Sequence, residues 1–273
     1  MNSTQLLDLL QLIPIQRAAV ALTIASIGMP IVGVFVVGLN IVAVRFAMMH
    51  VALLGIALGL LLGIEPLAVA LLLCALTGAA VTPVARRPSG LADVMGLVMT
   101  LAIAGALFTL SLSGVNANGA FELLWGSILA TRRSDVLLLA LISGLVLLIY
   151  LWQRRNLALL LYDRELALCS GVPVERLTML LLVLVAVAIA AAVRLTGALL
   201  VDSITLLPAL AARNLSNSFA GMVRWAIAIG LVGNLLGFLL TLWFNQPPGP
   251  MLVLVVGLFT IFTYFKSAIF KES

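Results

Sequence analysis

Apolar residues fill most of the chain in runs of about 18 to 25, separated by short polar breaks. A helix needs about 20 mostly apolar residues to cross roughly 30 Å of hydrocarbon. Apolar runs predict membrane helices over residues 18–40, 46–63, 67–85, 93–113, 135–153, 178–195, 196–213, 222–244 and 250–266. We therefore predict an all-α polytopic membrane helical bundle, with about eight or nine transmembrane helices.

Two segments depart from this pattern. The sequence FELLWGSILA at 121–130 is too short to cross a bilayer as a helix, so we expect a short re-entrant or interfacial helix with Trp125 at headgroup depth. The longest polar stretch is 154–177. Within it Asp163 is a plausible N-cap for a short helix through Cys169, and Gly171 and Pro173 are suitable stop signals.

Composition supports the membrane assignment, since 64% of the 273 residues are hydrophobic and only 9% are charged. The net charge of +5 does not indicate nucleic-acid binding, because lysines and arginines are spread over short loops. With the amino terminus outside, most basic residues face the cytoplasm, as the positive-inside rule requires. Four fall outside: Arg17, Arg132, Arg133 and Arg194.

Asp202 places a carboxylate inside an apolar run. A helix entered at Thr196 carries it roughly 9 Å into the membrane at about 1.5 Å per residue. A charge near the bilayer centre costs roughly 2.5–3.5 kcal/mol and is best tolerated facing a protein interior or a watery path. We expect Asp202 to point into the bundle, with Pro208 freeing a carbonyl or bending the helix. The alternative is that Asp202 caps a broken helix or pairs with Arg194.

Small residues lie three or four positions from Asp202, a pattern typical of contacts between membrane helices: Ala198, Thr205, Ala209 and Ala212. The run 46–63 has a similar face formed by its glycines, Gly55, Gly59 and Gly63. It also contains His50, the one histidine of the protein.

His50 and Asp202 are candidate ligands of a metal ion in transit, with Asn234 as a further group on the transport pathway. The alternatives are structural. His50 would then bond a backbone carbonyl, and Asn234 would hold two helices together by a hydrogen bond.

Several segments, taken in order, resemble one family. They are Gln16 and Arg17 before the first run, FAMMHVALLGIALG around His50, Trp125–Leu129, the stretch Asp163 to Gly171, Gly197–Ala209 and the turn Pro247–Pro250. Together they span nearly the whole chain. The chain resembles the permease subunits of ABC transporters that import zinc, manganese or iron.

The resemblance implies a vitamin B12 importer-like fold, with residues 1–273 forming one transmembrane domain in a bacterial inner membrane. It implies a dimer of permeases, a periplasmic or surface metal-binding protein and a cytoplasmic ATP-binding-cassette ATPase as partners. It also implies that 154–177 is a cytoplasmic segment coupled to the ATPase through Asp163, Arg164, Glu165 and Gly171. The alternative for this segment is an ordinary solvated loop.

The chain itself is not expected to be an enzyme or to hold a permanent cofactor; a divalent metal ion would be its cargo. No Gly-rich phosphate loop ending in Lys-Ser or Lys-Thr occurs, so ATP hydrolysis is expected in a separate subunit. The Gly-x-Ser-x-Gly and His-Glu-x-x-His motifs are also missing, which disfavours an intramembrane enzyme.

One position departs from the family. The family's aspartate, four residues before the histidine, aligns with Phe46, and phenylalanine cannot bind a cation. We predict that Asp202 supplies the missing carboxylate. The alternatives are pairing with a second, motif-intact permease, a different substrate, or a secondary transporter that relays protons through His50 and Asp202 without an ATPase.

Overall fold

The computed structural model describes residues 11–86, 88–114 and 131–271, and regular structure in these ranges is helical. In chain order the helices are α1 (Ile13–Gly38), α2 (Val42–Leu62), α3 (Pro66–Val81), α4 (Pro88–Leu112), α5 (Arg133–Tyr162), α6 (Arg164–Cys169), α7 (Val174–Thr196), α8 (Ala198–Ile204), α9 (Leu206–Leu215), α10 (Phe219–Phe244) and α11 (Pro248–Lys271). One 3₁₀ turn, Val84–Arg86, lies between α3 and α4. The predicted all-α architecture is confirmed.

Seven of the helices in these ranges are long and apolar enough to cross a membrane, namely α1, α2, α4, α5, α7, α10 and α11. The apolar helix α3 has 16 residues and is shorter. The chain is therefore a multi-pass membrane protein. The predicted re-entrant or interfacial piece at 121–130 lies outside the described residues.

Two predicted spans have different bounds in the structure. The run 135–153 belongs to α5, which continues to Tyr162 through Gln153 and the two arginines after it. The run 196–213 was expected to form one helix, and that expectation is wrong. It is divided into α8 and α9, which meet at Thr205 (φ −111°, ψ −70°).

The chain divides into two compact units. Unit 1 combines Met1–Val37, Gly126–Leu151 and Leu195–Ser273, and unit 2 combines Gly38–Trp125 and Trp152–Arg194, as far as these ranges are described. His50 and the short helix α6 belong to unit 2, whereas Asp202 and Asn234 belong to unit 1.

In unit 2, small residues of α2 allow close packing. Gly59 lies against α3, where an added Cβ would come within 2.5 Å of the Pro66 Cα, and Gly55 lies equally tightly against Ala70. Gly63 does not share this packing. It adopts a left-handed conformation (φ 65°) that ends α2, and nothing lies within 4 Å of the place where its Cβ would be.

In unit 1, the interrupted pair α8 and α9 is held by close backbone contacts. A Cβ at Gly33 of α1 would collide with the carbonyl of Thr205, so α1 passes directly over the interruption. Gly230 of α10 faces Pro30 and Pro208, whose Cγ atoms lie 2.9 and 3.6 Å from the position of an added Cβ. The interruption is therefore fixed by neighbouring helices.

Candidate transport site and coupling segment

His50 lies in the middle of α2 and is partly buried. Its Nδ1 is 2.8 Å from the carbonyl oxygen of Phe46, one turn earlier. A carbonyl can only accept, so Nδ1 is the donor, and in the neutral tautomer this leaves the lone pair on Nε2. The sequence left a bond from His50 to a backbone carbonyl as the structural alternative to metal binding, and this bond is present. It does not compete with metal binding, because histidine ligands usually donate their second ring N–H to such a group.

Asp202 lies in α8 and is partly buried. The residues predicted to share its small-residue face are fully buried where their side chains are described, at Thr205, Ala209 and Ala212. The predicted packing of this face is thus confirmed for these three positions.

The helix interruption next to Asp202 has a local cause. Pro208 has no N–H, so the carbonyl of Ile204, four residues earlier, lacks its usual helical donor. The chain breaks between these two residues, at Thr205. The Thr205 hydroxyl turns back to donate to the Val201 carbonyl at 2.5 Å, and the Ser203 hydroxyl donates to the Leu200 carbonyl at 2.9 Å. The helix disturbance predicted from Pro208 is confirmed, and it lies at Thr205, three residues earlier in the chain.

Asn234 lies in α10 and is fully buried. Its Nδ2 donates to the hydroxyl of Ser26 in α1 at 3.1 Å, which is the interhelical link considered from the sequence. Its buried Oδ1 has no hydrogen-bond partner among the described residues. Asn234 therefore joins α1 to α10 while keeping one amide oxygen available.

Arg45 is a buried charged residue at a position where the sequence pattern predicts a loop. The predicted run 46–63 leaves Arg45 in the break before it, but the turn at Asn40 (φ 55°) lets α2 begin at Val42. Arg45 therefore lies in the first turn of α2 and is fully buried, with its guanidinium carbon 4.3 Å from the centre of the Phe46 ring. The sequence around Arg45, VAVRFAMM, is apolar on both sides, and this pattern could have predicted that the arginine is buried.

Among the described residues, the structure forms no cluster of candidate metal ligands. In the described ranges, no group of three or more His, Cys, Asp or Glu side chains could hold a metal ion. His50 and Asp202 lie in different units, so their joint action stays a prediction.

The predicted short helix of the polar stretch is present as α6, with the predicted bounds. Asp163 caps it, because Oδ1 accepts from the amides of Glu165 (2.8 Å) and Leu166 (3.1 Å). Ala167 is its buried residue, and Glu165 is exposed. Gly171 lies two residues after the end of α6 and adopts a left-handed conformation (φ 75°), as expected of a residue that stops a helix. A short capped helix with an exposed Glu165 therefore follows α5.

Seven membrane-length helices in the described residues, a helix pair interrupted at Thr205 and a short helix capped by Asp163 describe a multi-pass membrane protein. The chain matches the ABC 3 transport family over residues 11–267 and belongs to that family. The resemblance found from the sequence motifs is confirmed.

Named relatives agree with this family membership, and one solved structure has the same fold. The chain is 27% identical to the high-affinity zinc uptake system membrane protein ZnuB of Haemophilus influenzae, over 77% of this chain and 81% of the relative. It is 27% identical to the manganese transport system membrane protein MntC of Halalkalibacterium halodurans, over 64% of this chain and 60% of that protein. The fold matches Streptococcus pneumoniae PsaBC in complex with Fab, with a TM-score of 0.83 and 23% identity over 96% of this chain and 95% of that chain.

Proposed function

We propose that this chain is the membrane-spanning permease subunit of an ATP-binding-cassette importer for a divalent transition metal, with zinc or manganese as the cargo. The observation that carries the proposal is family membership over residues 11–267, together with relatives named for zinc and manganese transport. Residues 1–273 act as one permease domain in a bacterial inner membrane. A separate ATPase drives alternating access, a binding protein delivers the metal and a second permease completes the pathway.

His50 is the proposed ligand on α2. The Phe46 carbonyl accepts from Nδ1, so the neutral ring has its lone pair on Nε2. Asp202 is the proposed carboxylate. It lies beside a helix interruption, where backbone away from regular helix is tolerated in membranes when protein or a water-filled cavity surrounds it. Asn234, with its available amide oxygen, is the proposed oxygen donor on the same route. Metal would bind transiently as cargo.

The test is metal uptake into vesicles that contain the chain with its ATPase and binding protein. ATP-dependent accumulation of ⁶⁵Zn or ⁵⁴Mn is expected. His50→Ala and Asp202→Asn should each reduce uptake at least tenfold. Thr77→Val is the matched control, because the Thr77 hydroxyl bonds only within its own helix, to the Leu73 carbonyl at 2.8 Å. Normal uptake by Asp202→Asn would remove that residue from the pathway, while uptake without ATP would indicate a secondary transporter.

We further propose that the segment 154–177 binds the ATPase. The support is the exposure of Glu165 on a helix too short to serve as a membrane element, with Arg164 beside it and the stop at Gly171. Charge reversal by Glu165→Lys should reduce copurification of the ATPase, whereas Glu65→Lys, at an exposed position between α2 and α3, should not. Equal copurification of both variants would contradict coupling through α6.

One contact supports a second candidate function. The Phe46 ring stacks with the Arg45 guanidinium, so the position that the family fills with a metal-binding carboxylate is engaged in an aromatic contact. Such a permease would need a motif-intact partner or another substrate. Uptake by the chain with its ATPase and no second kind of permease would exclude the heterodimer, and elemental analysis of the vesicles would identify the ion.

A further inference from the structure

An open apolar groove of about 360 Å³ lies in unit 1 between α10 and α11, next to the end of α9. Aromatic and aliphatic side chains line most of it, and one basic side chain lies at an end. Its lining includes Leu215, Trp225, Val232, Phe259, Phe262 and Lys266.

The groove has a defined direction because α10 and α11 run antiparallel. An added Cβ at Gly233 would lie 2.9 Å from Val256 Cγ2, and one at Gly237 would lie 3.0 Å from Leu252 Cα. Later residues of α10 therefore lie beside earlier residues of α11. The start of α10, with Trp225, therefore lies at the same end as Lys266 near the end of α11.

Positive charge is concentrated at this end. Lys266 lines the groove and is exposed, Arg224 precedes Trp225 and is exposed, and Arg213 lies in the last turn of α9. The sequences of α9, α10 and α11 contain no Asp or Glu to balance these cations. A tryptophan beside a lysine is typical of the level where lipid headgroups meet the hydrocarbon layer.

The length of the groove fits one lipid leaflet. The part of α10 that lines it extends from Trp225 to Gly233, which is about 12 Å at roughly 1.5 Å per residue. One leaflet contributes about half of the roughly 30 Å hydrocarbon layer. An acyl chain lying against Val232 and Phe262 would then place its headgroup phosphate beside Lys266.

We propose that this groove is a binding site for an anionic phospholipid, with an acyl chain between α10 and α11 and the phosphate at Lys266. The charge distinguishes this occupant from a second copy of the chain. In a symmetric dimer formed through this face, the same patch meets itself, and the three cations of each copy would approach those of the other. A phosphate instead complements them.

Trp225 gives a direct assay, because bromine atoms on an acyl chain quench tryptophan fluorescence on contact. The other tryptophans, Trp125, Trp152 and Trp243, are first replaced by phenylalanine. The full chain is reconstituted in phosphatidylcholine vesicles that contain brominated phosphatidylglycerol or, separately, brominated phosphatidylcholine. Quenching at a lower mole fraction of phosphatidylglycerol is expected. Equal quenching by the two lipids would overturn the proposal.

Matched variants separate the charge from the groove. Lys266→Gln should weaken the phosphatidylglycerol preference about fivefold, whereas Arg155→Gln removes an exposed cation outside the groove and should leave it unchanged. Val232→Phe should reduce quenching by filling the groove, and Leu254→Phe, on an exposed part of α11 outside it, should not. A phosphatidylglycerol preference that survives Lys266→Gln would refute the proposed phosphate contact.

A second measurement does not need the tryptophan substitutions. Native mass spectrometry of the wild-type chain with equal amounts of phosphatidylglycerol and phosphatidylcholine should give mainly phosphatidylglycerol adducts, and fewer in Lys266→Gln. A Val232→Cys variant tests for a second copy, in a Cys169→Ser background that removes the native exposed thiol. An efficient disulfide between two chains at position 232 would mean that a permease, and not a lipid, covers the groove.

Discussion

Replacing Asp163 with alanine should loosen α6 while leaving the membrane helices unchanged. The substitution removes two hydrogen bonds, from Oδ1 to the amides of Glu165 and Leu166. Loss of an N-cap costs about 0.5–2 kcal/mol, typically about 1. The helix has six residues and buries Ala167, so little packing offsets the loss. A loss of about 1 kcal/mol raises the open population roughly fivefold.

Hydrogen–deuterium exchange over residues 164–171 of the purified chain measures this opening. Exchange should be about fivefold faster in Asp163→Ala, and it should stay near the wild-type rate in Asp163→Asn, because asparagine is as good an N-cap as aspartate. ATPase copurification should follow the same order. If Asp163→Asn were as damaging as Asp163→Ala, the negative charge and not the cap would be the important property, and the capping argument would be refuted.

Two further predictions concern packing inside the membrane. Gly59→Ala should destabilise the chain by about 3 kcal/mol, because its Cβ would overlap the Pro66 backbone, while Gly63→Ala should cost only about 1 kcal/mol, from left-handed strain alone. A shift of the thermal midpoint in detergent that is no larger for Gly59→Ala than for Gly63→Ala would contradict this. Asn234→Leu should reduce the free energy of unfolding by about 0.6–1 kcal/mol. Adding Ser26→Ala should recover part of this loss, because the double variant removes both hydrogen-bonding groups and leaves no buried hydroxyl without its partner. A fully additive second loss of midpoint would show that the two side chains are not coupled.

Features set by local chemistry could be predicted from the sequence. The helix α6 has the bounds expected from its cap and stop signals, because Asp163 and Gly171 act on their nearest backbone groups. Long apolar runs likewise predicted the membrane helices, since hydrocarbon thickness sets a minimum length. Hydropathy marks the apolar layer and not the end of a helix, so α5 continues to Tyr162 where a span was expected to stop at residue 153.

Features set by neighbouring helices could not be predicted in this way. Pro208 indicated a disturbance, but not that the run would break into two helices at Thr205, where α1 approaches through Gly33. A local turn was also missed: α2 begins directly after a left-handed residue, Asn40, and Arg45 is therefore a buried helix residue and not a loop residue. Whether His50 and Asp202 act together also depends on tertiary structure, so one sequence cannot decide it.

The hydrogen bonds of polar residues in the apolar helices give a further reason to favour His50 as a ligand. Hydroxyl groups of Thr23, Thr77 and Thr109 donate to carbonyls four residues earlier in their own helices, at 2.7–2.8 Å. A threonine that donates in this way has only the lone pairs of the same neutral oxygen left, and zinc is bound by imidazole nitrogen, thiolate or carboxylate in preference to a hydroxyl. His50 makes the same backward bond, to Phe46 at 2.8 Å, but its ring has a second nitrogen. In the apolar layer, imidazole can therefore satisfy its own helix through one nitrogen and still present a lone pair to a passing cation through the other.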